Sequence, residues 1–135
     1  MVNIMTNKTF GKIEIAVAGV TFENRQGKLW NLRKAENAGQ NVYCSLRREP
    51  KNERDTNAIA VIAHTENSNF KIGYVPANVA CWLAKRMDNG LVVRAYATDK
   101  GAKFVHGNKG QNLGVALKVV YELGANEVAK AELDA

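Results

Sequence analysis

The chain has 135 residues, 46% of them hydrophobic, which favours a folded globule over a disordered chain. Its length suits one domain with a single sizeable core, and no apolar run approaches the ~20 residues of a membrane span. The formal net charge is +6, but residues 122–135 carry four acids and one base, so the body before them reaches +9, a surplus that favours polyanionic partners.

Residues 1–10 are polar and predict a flexible N-terminus, without the basic start and apolar run of a secretory signal. Lys12 to Val20 alternates, with Ile13, Ile15 and Val17 on one face. This predicts a strand, and Gly19 near its end permits a bulge or a close backbone approach. Phe22 follows in the polar loop TFENRQG, where a ring either plugs the core or offers a stacking surface. Lys28 to Ala38 predicts a short helix that packs Leu29 and Leu32 and leaves Arg33, Lys34 and Glu36 solvated, with Gly39 as its cap.

Val42, Cys44 and Leu46 then point one way, and Tyr43, Ser45 and Arg47 the other. Glu49-Pro50 stops this strand, because proline has no N–H for a ladder. A polar loop, Lys51 to Thr56, leads into Ala58–Ile62, which is apolar on both faces and so expected to be central. After a turn at Thr65–Asn69, Phe70 to Val75 predicts a fourth strand with Phe70, Ile72 and Tyr74 sharing a face.

Pro76 begins a helix to Asp88, with Val79, Ala80, Leu83, Ala84 and Met87 as its buried stripe and Asn89-Gly90 as its end. Trp82 falls on its flank, at the edge of the core. Leu91–Thr98 and Leu113–Leu123 predict the fifth and sixth strands. Between them lies a mobile, glycine-rich hairpin loop in which Lys100, Lys103 and Lys109 surround Phe104 and His106. Residues 124–135 predict a weak helix or a tail. The fold expected over residues 11–122 is mainly β, of the α+β class: a six-stranded OB-like barrel with two short helices, closed so that no edge is exposed.

The two cysteines, Cys44 and Cys81, sit in apolar patterns, and no Cys-x-x-Cys occurs. Buried free thiols in a cytoplasmic protein are expected, not a structural zinc. There is no Walker-type glycine loop, no G-x-S-x-G and no metal-spaced cluster. Glu49, Glu53 and Asp55 fall close together, but Arg48, Lys51 and Arg54 interleave and can neutralise them, which argues against a metal-dependent nuclease. The chemistry points to a binding module, with no catalysis, cofactor or metal expected. Arg47, Arg48, Lys51 and Arg54 suit phosphates, and Phe22 and Tyr74 suit bases. The competing reading puts Tyr74 in the core and the arginines in surface ion pairs with Glu49 and Glu53.

Three stretches together resemble the HIRAN domain: Val17-Ala18-Gly19; Leu46-x-Arg48-Glu49-Pro50-x-Asn52-x-x-Asp55-x-Asn57-Ala58-Ile59-x-Val61; and Ile72-Gly73-Tyr74-Val75-Pro76 with Ala80 following. The resemblance covers roughly residues 11–122. It implies an OB-like barrel that binds single-stranded DNA and captures its free 3′ end in repair or replication, acting beside a separate helicase or nuclease and not at a membrane. On this resemblance the nucleic-acid-binding residues are Thr21, Phe22, Arg48, Asn52, Arg54, Asp55, Asn57 and Tyr74, and the charge and single aromatic of the basic loop before the sixth strand add Lys103 and Phe104. Asp55 matches the acid that accepts a hydrogen bond from the terminal 3′-hydroxyl, and Phe22 the aromatic that stacks on the terminal base. Thr21 stands where a better-known member has arginine, and Tyr74 where it has histidine. Arg54 stands where an aromatic ring often completes the base sandwich, and a guanidinium plane can also stack on a base. The rival role for Asp55 is to cap the turn through the Asn57 N–H. The rival function is a protein-interaction or regulatory adaptor that keeps the barrel without end capture.

Overall fold

Alternation at the N-terminal end yields strand β1, Phe10–Ala16, which turns Ile13 and Ile15 inward. In the computed structural model, which describes residues 8–98, 104–107 and 111–127, there follow helix α1 (Arg25–Asn37) and strands β2 (Tyr43–Arg48), β3 (Ile59–His64) and β4 (Asn69–Tyr74). Helix α2 (Ala77–Asp88) and strands β5 (Val93–Ala97), β6 (Val105–His106) and β7 (Gly114–Glu122) complete the order. One antiparallel sheet runs β1-β7-β5, with β6 also paired to β7, and the other runs β2-β3-β4.

The core lies between the sheets and under the helices. Val115, Leu117 and Val119 of β7 meet Val61 and Ala63 of β3, Leu29 and Leu32 of α1, and Leu83 and Ala84 of α2. β3 is the centre of its sheet and is buried from Ile59 to Ala63, as its unbroken apolar run predicts. α2 begins after Pro76 and buries Val79, Ala80, Leu83 and Ala84. Trp82 is half-buried against the core, edge-on to Tyr121.

Several expectations are corrected. The strands form two sheets and, among the described residues, do not close into a barrel. β2 lies against β5 without a ladder, and the sheets join through a bridge between Ala18 and Tyr74. Ala18 N–H donates to the Tyr74 carbonyl at 2.7 Å and Tyr74 N–H to the Ala18 carbonyl at 2.9 Å. Pairing goes no further because Gly19, at φ +73°, turns one chain away and Pro76 has no N–H to extend the other. The long loop before β7 contributes a further strand, β6.

α1 begins at Arg25, earlier than its apolar pattern suggests. There Gln26 ties the helix to the start of β7, its amide donating to the Val20 and Leu113 carbonyls and accepting from the Leu113 N–H. β4 shifts register opposite Val61/Ile62, so Ile72 faces the core while Lys71 and Tyr74 share the other side. Cys44 is buried, and burial followed by the nearby Glu36 charge pushes its thiol up to about 12. Cys81 is exposed on α2, its Sγ donating to the Asn78 carbonyl. Lys100, Lys103 and Lys109, the extreme N-terminus and residues 128–135 lie outside the described residues. Among the described residues, no helix is long and apolar enough to cross a membrane.

Candidate functional site

The polar loop between β2 and β3 is braced by its own side chains. At the end of β2, Arg48 donates to both Asp88 carboxylate oxygens on α2, at 2.8 and 3.1 Å. It also reaches the Ala58 and Thr56 carbonyls, at 2.7 and 3.0 Å. The hydrogen bond to Asp88 raises the guanidinium pKa and lowers that of the carboxyl. Asn52 Oδ1 accepts the N–H groups of Arg54 and Asp55 at 2.9 and 3.1 Å, and its Nδ2 donates to Glu49 Oε1 at 3.0 Å. Asp55 Oδ1 accepts the Asn57 N–H at 2.8 Å, an Asx turn. A loop of such composition is therefore rigid for local reasons.

Glu49 is the hub behind this loop. It accepts the Tyr74 hydroxyl at 2.8 Å and pairs with Lys71 at 2.7 Å and with Arg47 at 3.4 Å. Burial would raise its pKa, but hydrogen bonds from Lys71, Asn52 and Tyr74 and the charge of Lys71 outweigh it and hold the carboxyl at about 2.

The turn between β1 and α1 forms the facing wall. Glu23 and Asn24 have φ of 53° and 62°, left-handed conformations that cost non-glycine residues roughly 1–3 kcal/mol each. This contorted turn leaves Phe22 62% exposed, which excludes the core-plug reading. It also buries Arg25, 5% exposed, which donates to the Gly19 carbonyl at 2.7 Å and pairs with Glu23 at 3.1 Å. The Arg25 guanidinium carbon lies over the Tyr74 ring, 5.3 Å from its centre.

Between these walls lies a groove of about 800 Å³. Phe22, Asn52, Arg54, Asp55 and Tyr74, drawn from three separate segments, all line it. Arg54 is exposed, and Asp55 Oδ2 has no hydrogen bond among the described residues. Thr21 is exposed next to Phe22, outside the lining. Arg48 and Asn57 hold the loop without lining the groove, and Phe104 packs against the core. Lys103 lies outside the described residues. Tyr74 is not part of the core; its ring carries Arg25 and its hydroxyl is engaged.

Sequence reasoning missed Gly19, Glu23 and Arg25, which also line the groove. Only the glycine offered a signal, because the burial of Arg25 depends on a fold-dependent approach to Tyr74. Among the described residues, no group of three or more His, Cys, Asp or Glu side chains could hold a metal.

A family model described as the HIRAN domain matches residues 10–124. The chain belongs to the HIRAN domain family. HIRAN domains are DNA-binding modules, so membership implies DNA as the class of ligand. The crystal structure of the HIRAN domain of human HLTF shares the fold, with TM-score 0.54 and 22% identity over 90% of this chain and 82% of that one. A crystal structure of a protein from Lactobacillus plantarum matches at TM-score 0.56 and 21% identity, over 86% of this HIRAN chain and 100% of the other. No curated protein matches the chain.

Proposed function

We propose that the groove receives the free 3′ end of single-stranded DNA in repair or replication, the chain acting as a binding module beside a separate helicase or nuclease. The observation that carries this reading is the convergence of Phe22, Arg54, Asp55 and Tyr74 on one groove from three segments of the chain. Phe22 presents an exposed ring to the terminal base, and the Arg54 guanidinium stacks opposite or meets the last phosphate. Asp55 Oδ2 accepts the 3′-hydroxyl hydrogen, while a carboxylate repels a 3′-phosphate. Asn52 in the groove wall and Arg48 behind it keep the loop in shape, and Asn57 fixes the rotamer of Asp55 through its N–H.

The reading is tested with short oligonucleotides ending in 3′-OH or 3′-phosphate. Preference for the hydroxyl end is expected. Equal affinity for both ends, with DNA still bound, refutes end capture and favours a general DNA-binding role.

A further inference from the structure

We infer that the outer face of the β1-β7-β5 sheet is a second nucleic-acid surface, a track for the stretch of strand that leads out of the groove; its direction rests on the groove reading. On β1 the outward side chains are Phe10, Lys12, Glu14 and Ala16, since Ile13 and Ile15 turn inward. On β5 they are Arg94 and Tyr96. Phe10 and Tyr96 are 41% and 47% exposed.

Register places Val120 of β7 between Lys12 and Arg94, and Lys118 between Glu14 and Tyr96. A cleft of about 230 Å³ opens here, lined by Phe10, Val92, Arg94, Tyr96 and Val120. Neither Lys12 nor Arg94 has an ion-pair partner among the described residues. Basic side chains beside exposed rings complement a strand whose phosphates are charged and whose bases have π-faces.

The face is continuous with the groove. Ala16 is exposed and lies opposite Ala116, and two residues further on Ala18 lines the groove. Small side chains thus make a flat floor between the groove and the aromatic, basic end. From Ala18 to Phe10 the distance along the strand is ~26 Å at ~3.3 Å per residue.

The test uses the full chain and 3′-OH oligonucleotides of about three and about twelve nucleotides. The wild type is expected to bind the longer one about tenfold or more tightly. The double variant Tyr96→Thr, Arg94→Gln replaces exposed residues and places a strand-favouring β-branched side chain at position 96. It is expected to lose most of that gain while keeping the short-oligonucleotide affinity and the preference for a hydroxyl end. Unchanged affinity for the long oligonucleotide overturns the track. So does a variant whose binding is intact but whose self-association in sedimentation has changed, which makes the face a protein interface. If the wild type shows no end preference but the double variant still weakens the long oligonucleotide, the track stands and the groove reading falls.

Discussion

On the proposed reading, Asp55 divides one carboxylate between two tasks. Oδ1 holds the Asn57 N–H and so the turn, leaving Oδ2 for a ligand. Asp55→Asn keeps an oxygen for the turn but removes the charge. The variant is expected to fold normally and to discriminate less between 3′-OH and 3′-phosphate ends, with a loss of about 1.5–3 kcal/mol of end binding. An unaltered ratio in a folded variant assigns Asp55 to the turn alone. Glu49 gives a pH signature. Its carboxyl is lowered from an ordinary 4.5 to about 2, so its stabilisation is complete above the ordinary value and is lost as pH falls through the lowered one. Thermal unfolding from pH ~4.5 down to ~2 should therefore fall more steeply for the wild type than for Glu49→Gln. Parallel curves would remove Glu49 from this role. At this scale the sequence was only partly legible. An acid in a loop of Asn and Asp announced an Asx turn, whereas Arg25 looked like any loop arginine until the fold carried Tyr74 beside it.

Strand and helix periods were the most legible features. β3 reads as central because it is apolar on both faces, and α2 because Val79, Leu83 and Ala84 repeat at helical spacing after proline. Closure was not legible, because it depends on which edges meet. The chain just past β1 touches β4 through the Ala18–Tyr74 bridge, and Gly73 makes that approach possible. A Cβ at position 73 would collide with the Ala18 carbonyl oxygen and come within 2.6 Å of Val17 Cγ1. Gly73→Ala should cost about 1–3 kcal/mol by forcing the strands apart, and Tyr74 should move with them, weakening DNA binding as well. Denaturant unfolding that matches the wild type would show that the junction tolerates the added carbon.

For the whole molecule, the decisive quantity is the +9 of the body, diluted to +6 only by the acidic end of the chain. Affinity for single strands should fall steeply and linearly in log–log form as salt rises, because each neutralised phosphate releases a counterion. A flat salt response would leave stacking without phosphate contacts. The groove also has a mechanical meaning. Phe22 stands on the turn leaving the sheet that contains β1, while Arg54 and Asp55 stand on the loop of the sheet that contains β3, with the Ala18–Tyr74 bridge beneath them. On the proposed reading, a strand end held by all three would work as a staple across the seam, so that the sheets could not part there until it left. Amide hydrogen exchange at Ala18 and Tyr74 should slow when a 3′-OH oligonucleotide is bound, more than exchange within either sheet, because local opening of the seam then also carries the free energy of release.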